Sequence, residues 1–411
     1  MKESVLKQSV NIVLVLFIIV FCIAPKISTL FLILYALLVV FGWINKNIVF
    51  RWNLKSFWFV GLYLVYLIGV FYTKDSDQSL KYLENKLPFL FFPFFFCFDT
   101  KKIISLPIIV TGLLIGVTVL SFIGYWKGLV CYGESGALDC FLTISLSPIH
   151  HPSYFVVFHL VALVFVWHGY VSNWKFYKLK WIIPFTLFSF ITQSLVLSLA
   201  GVLYLLLLIV IVLLYLIKRK WGLKYLIFST LLLPFLVTIL FLSVPQFEGE
   251  FNGAFKYVNS FIHSPTEFVE TRQKDISGSE VRLVMWTATI SEILDHPFGV
   301  GTGNVDIYLG KRLALLNQPD LAKYNYNPHN QFLQTTLEIG VVGLFLLLGL
   351  IIHVSYLAWR QKNWILLILA TNLFFNSLFE SMLQRQSGIV FYSFWIVLLL
   401  SFIPSTKKFK V

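Results

Sequence analysis

Arginine, histidine and carboxamide side chains gather in two short stretches of the C-terminal half of the chain. The first places Trp286 one helical turn after Arg282 and then runs through HPFGVGTG to Asn304. The second is NPHNQ at 327–331, with its histidine at position 329. A guanidinium binds phosphate oxygens strongly, and an imidazole with a pKa of about 6.5 can transfer a proton at neutral pH. These residue types predict a site for an anionic ligand at which a proton can be moved.

The second stretch has the residues of a helix start. Asn327 is suited to be the N-cap and Pro328 to be the first helical residue. His329 and Asn330 would then lie in the first turn, where unpaired backbone N–H groups favour an anion. Polar side chains continue at helical spacing along the following apolar run, at Gln331, Gln334, Thr335 and Glu338. Such a stripe is costly inside a membrane unless it faces a cavity or a protein partner.

The rest of the sequence is strongly hydrophobic. Of 411 residues, 58% are hydrophobic, 18% aromatic and only 12% charged, which excludes the soluble-enzyme, nucleic-acid-binding and disordered classes. We therefore expect an all-α polytopic membrane protein. Twelve apolar runs are suited to cross the bilayer as helices, at 9–24, 28–44, 56–72, 87–98, 103–126, 150–169, 181–197, 199–217, 224–243, 333–357, 364–380 and 386–403.

The charged residues indicate the orientation of these spans. If both termini are cytoplasmic, that side holds 19 of the 32 Lys and Arg residues and only two of the 19 acidic residues. The opposite orientation violates the positive-inside rule at nearly every loop, so the net charge of +13 reflects topology rather than a nucleic-acid partner. We expect three parts: spans one to nine at 1–243, a large extracytoplasmic loop at 244–332, and spans ten to twelve at 333–411. The first span is interpreted as a retained anchor rather than a cleaved signal peptide.

The large loop must hold the chemistry, because a connection of this length is usually functional or disordered and its composition is not that of disorder. Its segment Ser279–Asp295 carries apolar residues at helical spacing, which predicts an amphipathic helix on or near the membrane surface. Gly299, Gly301 and Gly303 follow this helix rather than a strand, so they do not predict a dinucleotide site. We expect them to form a tight turn whose N–H groups approach a phosphate or the next helix.

The four cysteines divide into two pairs. Cys22 and Cys97 fall in predicted spans, whereas Cys131 and Cys140 share one extracytoplasmic segment. We predict a disulfide between the latter two in an oxidising compartment, the alternative being two unpaired thiols. No ligand spacing for zinc and no carboxylate cluster for another metal is present, so neither a metal nor a cofactor is expected.

Ordinary structural roles compete with the functional interpretation of each residue. A lone histidine at a membrane interface is most often a solvated surface residue, and this alternative applies to His329 and, more strongly, to His150, His263 and His296. Arg282 could extend its guanidinium towards lipid headgroups. Only the ordered combination of these residues distinguishes a functional site from these ordinary structural roles.

That combination resembles a known family. The order R-x-x-x-W, HPFGVGTGN and PHNQFLQTTLEIGVVG, in one large loop of a protein with about twelve spans, is similar to the bacterial O-antigen ligase and O-antigen polymerase superfamily. ENKLPFLFFP at 84–93 and HHPSYF at 150–155 add less specific support. The resemblance implies a GT-C-like, metal-independent, inverting glycosyltransferase of the bacterial inner membrane, with its active site on the periplasmic face. It would move a glycan from undecaprenyl diphosphate to an acceptor hydroxyl, in ligases that of the lipid A core.

The resemblance also implies roles for individual residues. His329 matches the essential histidine of the family and Arg282 its large-loop arginine, and both are expected to be catalytic. We expect the donor diphosphate to contact Arg282, Lys86, Asn330 and Gln331, with support from Trp286, Asn304, His151 and Glu338.

The chain departs from the family at one position. A serine-arginine pair is usual where this chain has Ser198-Leu199. Leucine cannot bind phosphate, so another cation must take over, with Lys86, Lys81 and Arg385 as candidates, or activity has been lost.

Several functions stay open from the sequence. A polysaccharide polymerase and a protein O-oligosaccharyltransferase of the same superfamily would use the same donor with another acceptor. A lipid-linked glycan flippase would be of a different class, but transporters usually place ionisable residues at mid-membrane, and here the polar groups gather outside. A catalytically dead assembly partner gains weight only from Leu199.

Overall fold

The computed structural model describes residues 3–98, 102–196, 201, 204, 257–270, 278–323 and 327–403. Within these residues the protein is helical, and β pairing is limited to an isolated bridge between Phe50 and Phe98. Leu199 and the predicted spans at 199–217 and 224–243 lie outside the described residues. The α-helices in chain order are α1 (Glu3–Ile23), α2 (Pro25–Ile44), α3 (Phe57–Val70), α4 (Ser76–Lys86), α5 (Pro88–Phe95), α6 (Leu106–Ser135), α7 (Thr143–Leu146), α8 (Pro152–Val171), α9 (Leu179–Val196), α10 (Pro265–Glu270), α11 (Ser279–Asp295), α12 (Val305–Leu315), α13 (Pro319–Lys323), α14 (Gln331–Arg360), α15 (Trp364–Ser377) and α16 (Gln386–Phe402).

The long apolar helices fall where the hydrophobic runs predict them. In the described part of the chain, six helices are long and apolar enough to cross a membrane, namely α1, α2, α6, α8, α9 and α14. The apolar helices α3, α15 and α16 are shorter. The predicted span at 87–98 contains only α5, which has eight residues and rises about 12 Å, too little to cross the bilayer alone. The protein is an all-α, multi-pass membrane protein, and the count of twelve spans stays a prediction.

Small residues let the N-terminal helices approach closely. Helix α1 packs against both α2 and α6. A Cβ atom at Gly112 of α6 would lie 3.1 Å from the Val15 Cα, and one at Gly116 would lie 2.9 Å from the Cys22 Sγ. Close backbone approach of this kind provides the van der Waals contact that associates helices in a bilayer.

The segment from α10 to the start of α14 has a small hydrophobic core of its own. Val284, Met285 and Ala288 of α11 are buried against Leu309 of α12 and Leu337 of α14. Part of the amphipathic face of α11 therefore packs on protein, while Ile290 and Leu294 of the same helix are exposed. A position of α11 on or near the membrane surface stays a prediction. Because α11 and α12 share this core with the start of α14, they hold their polar residues in a fixed relation to the N-terminal end of that helix.

A break in α14 receives the glycine turn. Ile339 and Gly340 have non-helical dihedral angles, with φ +74° at Gly340. The Val300 and Gly301 N–H groups donate to the carbonyls of Leu337 and Glu338, at 2.8 and 3.0 Å. Of the two partners considered for this turn, the backbone N–H groups meet the next helix rather than a phosphate. Irregular backbone in a span is tolerated where protein supplies its hydrogen bonds, and the turn supplies them here.

The predicted disulfide is present. Cys131 and Cys140 are bonded, with their Cα atoms 5.7 Å apart. The segment that follows lies against α6 at a glycine notch, because a Cβ atom at Gly128 would lie 3.0 Å from the Cys140 carbonyl oxygen. This segment leads to His151, the N-cap residue of α8.

Candidate active site

The centre of the site is a histidine paired with a buried carboxylate. The Nδ1 atom of His329 lies 3.3 Å from Glu380 Oε2. Glu380 is in the short segment between α15 and α16, and its other oxygen accepts the Ser381 N–H at 3.1 Å. Burial raises the pKa of Glu380, but the hydrogen bond and charge of His329, the charge of His151 and the Ser381 N–H outweigh it and lower the pKa to about 2. Glu380 is therefore an anion at neutral pH and must accept the Nδ1 proton of His329.

The turn that carries His329 differs from the predicted helix start. Helix α14 begins at Gln331 with Asn330 as its N-cap, whose side-chain oxygen accepts the N–H groups of Phe332 and Leu333. The expected N-cap, Asn327, instead accepts the N–H of His329 at 2.8 Å, and His329 has a left-handed backbone with φ +48°. The expectation of an anion site at unpaired N–H groups is wrong for the two donors that Asn330 satisfies.

A second histidine and two arginines surround the pair. His151 Nδ1 lies 3.9 Å from Glu380 Oε2. Burial lowers the pKa of His151, the Glu380 charge raises it, and the positive charges of Arg385, His329 and Arg282 each lower it. The charges of Arg282 and Arg385 thus act on His151, which shares the Glu380 carboxylate with His329. The expected convergence of Arg282 and His329 on one ligand stays a prediction.

Helix α11, which carries Arg282, is tied to the turn of His329. Trp286, one helical turn after Arg282, donates its indole N–H to the Pro328 carbonyl at 2.9 Å. Pro328 directly precedes His329, so this bond holds α11 against that turn. The supporting role of Trp286 in a site stays a prediction.

Four other residues that the sequence suggested for the site are buried and form hydrogen bonds within the protein. Lys86 is fully buried, with its ammonium bound to the Leu383 carbonyl at 2.9 Å and the Gln384 amide oxygen at 3.1 Å. Its expected contact with a diphosphate therefore conflicts with its placement. The amide of Gln331 is equally occupied, since it donates to Thr335 and accepts from the Leu383 N–H.

Glu338 of α14 and Asn304 form hydrogen bonds with the backbone of the glycine turn. Glu338 is fully buried, accepts the Gly303 N–H at 3.3 Å and interacts electrostatically with Lys86. Asn304 is also buried and binds the Val300 carbonyl and the Lys74 N–H. The polar stripe of α14 thus faces a protein partner, which was one of its two predicted environments.

A polar cavity of about 490 Å³ opens beside the turn that carries His329. It shares Asn327 with that turn and Arg385 with the cations around His151. The side chains that line it are all polar. They come from α4, α12, the turn before α14 and the start of α16 with the segment before it, namely Gln78, Lys81, Tyr82, Asn85, Asp306, Asn327, Gln384, Arg385 and Gln386. Two of the three cations considered as replacements for the family arginine, Lys81 and Arg385, therefore line one cavity.

The three other histidines considered from the sequence have different surroundings. His150 is buried and bonded to Ser387 and the Cys22 carbonyl, while His263 is exposed. His296 lies 3.7 Å from Glu292, its neighbour one turn earlier.

Sequence reasoning missed Glu380 as a member of the site. Its signal was present but weak: a carboxylate in the polar segment FESMLQRQ between two apolar runs.

Comparison with known proteins agrees with the resemblance of the motifs. Residues 183–348 match a family model described as O-antigen ligase. The matched segment includes Arg282, the glycine turn and His329, whereas His151 and Glu380 lie outside it. No match was found among curated proteins.

Proposed function

We propose that this chain, whose residues 183–348 match a family model described as O-antigen ligase, transfers a glycan from an undecaprenyl diphosphate carrier to an acceptor hydroxyl. The preferred acceptor is the lipid A core. The observation that carries the proposal is the pairing of His329 with the Glu380 anion at 3.3 Å, beside His151, on which the charges of Arg282 and Arg385 act. A base and cations in this arrangement fit a reaction in which a hydroxyl loses a proton and a diphosphate leaves.

His329 would serve as the general base. Because Glu380 accepts the Nδ1 proton, the Nε2 atom carries the lone pair that can take a proton from the acceptor hydroxyl. The acceptor oxygen then forms a bond to the anomeric carbon of the donor. A carboxylate that fixes the tautomer and stabilises the imidazolium is the arrangement that histidine bases use in hydrolases.

Arg282 and Arg385 would stabilise the leaving group. The bond between the anomeric carbon and the diphosphate oxygen breaks with its electron pair on that oxygen, so negative charge grows on the diphosphate. Guanidinium groups bind phosphate oxygens in pairs and lower the energy of such a transition state. Arg385, one of the three cations considered as replacements for the family arginine, takes this role instead of Lys86. A single displacement of this kind inverts the anomeric configuration, and we expect it to proceed without a metal ion.

The site would lie on the periplasmic side of the inner membrane. The positive-inside pattern supports this orientation, as does the bonded pair Cys131 and Cys140, which needs an oxidising compartment. A donor tail can then remain among the spans while its diphosphate meets the cations of the outer face.

Reconstitution tests the proposal. Purified protein in liposomes, supplied with a lipid-linked glycan and lipid A core in EDTA, should yield glycosylated core with inverted anomeric configuration and release undecaprenyl diphosphate. Absence of transfer to any acceptor, or retention of configuration, would overturn the function or its single-step mechanism respectively. Deletion of the gene separates the three roles. Loss of a ligase leaves core without glycan and glycan on its lipid carrier, loss of a polymerase leaves single repeats, and loss of a protein-modifying enzyme leaves unmodified protein.

A further inference from the structure

The residues that line the polar cavity beside the turn of His329 determine which class of ligand can bind there. Carboxamide side chains from two walls face it, among them Gln78 and Asn85 of α4 and Gln384 near α16. Each amide offers both a donor and an acceptor, as a sugar hydroxyl does. The lining contains no Leu, Ile, Val or Phe side chain, so it lacks the continuous aliphatic surface that a polyprenyl tail would need.

Asp306 gives this lining a fixed acceptor. Its Oδ2 accepts the Tyr82 hydroxyl at 3.2 Å and the Gln78 amide at 3.4 Å, which joins α12 to α4 across the cavity wall. A carboxylate repels a diphosphate but accepts hydrogen bonds from sugar hydroxyls. The cavity volume of about 490 Å³ lies within the range of roughly 300–1,000 Å³ that is typical of small-molecule sites.

Neither cation of the cavity is held in an ion pair. Among the described residues, neither Lys81 nor Arg385 has a salt-bridge partner. Asn327 joins the cavity to the proposed reacting centre, because it lines the cavity and accepts the His329 N–H at 2.8 Å. The amides and Asp306 of the lining therefore share one cavity with this turn, and the sugar rings next to the reacting bond must lie close to it.

We infer that this cavity binds sugar rings of one of the two glycans that meet at His329, with Gln78, Asn85 and Asp306 as hydrogen-bonding partners. The inference rests on the proposed function, since it takes His329 as the reacting centre. Donor and acceptor glycans share this chemistry, and the experiment must separate them.

Cysteine labelling tests the inference directly. Asn85→Cys places a thiol in the cavity, while Cys22 and Cys97 are buried and Cys131 and Cys140 are bonded. Full-length protein in liposomes is treated with a water-soluble maleimide, alone and with lipid-linked glycan, undecaprenyl diphosphate or lipid A core. Asp320→Cys, an exposed position of α13 that does not line the cavity, is the control.

We expect lipid-linked glycan to slow labelling of Asn85→Cys at least severalfold, with no effect of undecaprenyl diphosphate and no change at Asp320→Cys. Protection by lipid A core alone would also support a sugar site and would assign it to the acceptor. Equal protection by undecaprenyl diphosphate would overturn the inference in favour of diphosphate binding. No protection by any of the three would overturn it too, and transfer that still depends on His329 would leave the proposed function standing.

A second variant guards against a change caused by the cysteine itself. Gln78→Ala removes one amide and should raise the KM for the bound glycan severalfold with little change in kcat. An unchanged KM for both donor and acceptor would count against the sugar site.

Discussion

His329 and Glu380 are 51 positions apart in the chain, yet their side chains meet with 3.3 Å between Nδ1 and Oε2. All of α14 and α15 lies between them. The chain returns along α15, so the start of α14 and the end of α15 lie side by side, with the Asn330 amide donating to the Leu378 carbonyl at 3.2 Å. The imidazole is thereby oriented by a carboxylate that does not belong to its own loop.

Replacement of Glu380 tests this relationship. Glu380→Gln keeps the shape of the side chain but offers Nδ1 either a donor or a weaker acceptor, so the tautomer of His329 is no longer enforced. We expect kcat to fall by about 10²-fold or more, with a much smaller change in KM for either glycan. Glu380→Asp should recover part of the rate, and Glu267→Gln on the exposed face of α10 should have no effect. An unchanged kcat in Glu380→Gln would show that the pair is structural only.

The arginines are expected to act on the diphosphate. Arg385→Gln removes one charge from the site, and Arg282→Lys keeps the charge but loses the paired N–H donors of the guanidinium. Both variants should lower kcat/KM for the lipid-linked donor by roughly 10- to 100-fold. Arg360→Gln, exposed at the other end of α14, is the matched control and should behave as wild type. Loss of affinity for the acceptor alone would contradict the assignment.

His151 should make stability depend on pH. Burial lowers its pKa, with the Glu380 charge opposing and three cations adding to the effect. The folded protein therefore binds this proton less readily than the unfolded chain, whose imidazole titrates near pH 6.5. Stability is complete above about pH 6.5 and falls as the pH drops below it.

His151→Asn can still cap α8 but does not titrate. In thermal unfolding in detergent, its loss of Tm between pH 7 and pH 5 should be smaller than that of wild type. Some dependence should remain, because burial also lowers the pKa of His150, to about 4. His263→Asn, at an exposed position, should keep the wild-type dependence. A full wild-type loss in His151→Asn would contradict this account.

The break in α14 requires glycine at position 340. Its φ is +74°, and a Cβ atom there would lie 2.5 Å from the Phe298 carbonyl carbon. Gly340→Ala should cost about 1–3 kcal/mol of stability and lower Tm in the same assay. Gly133→Ala in α6 is the control, since a Cβ atom there meets nothing within 4 Å. Equal Tm values for the two variants would mean that the turn does not hold the broken helix.

The sequence predicts the helices and the two motif residues because these signals are local. Hydrophobic runs locate α1, α2, α6 and α8, and the spacing of Arg282 and Trp286 places both on one helical face. Cysteine spacing likewise predicts a bond that the structure contains.

Other features depend on contacts that no local pattern contains. Asn327 and Asn330 are equally good capping residues, and the choice of Asn330 goes with the left-handed backbone of His329. Lys86 carries the charge expected of a residue that binds a diphosphate, but in the fold its ammonium donates to Leu383 and Gln384. Glu380 becomes part of the site only when α15 returns beside α14.

The most direct measurement compares His329→Ala with His263→Ala in liposomes that contain lipid-linked glycan and lipid A core. Both variants should be produced and unfold at temperatures near that of wild type. We predict that His329→Ala loses transfer and the release of undecaprenyl diphosphate, by about 10³-fold or more, while His263→Ala keeps nearly full activity. Substantial transfer by a folded His329→Ala, or an equal loss in both variants, would contradict the assignment of His329 as the base.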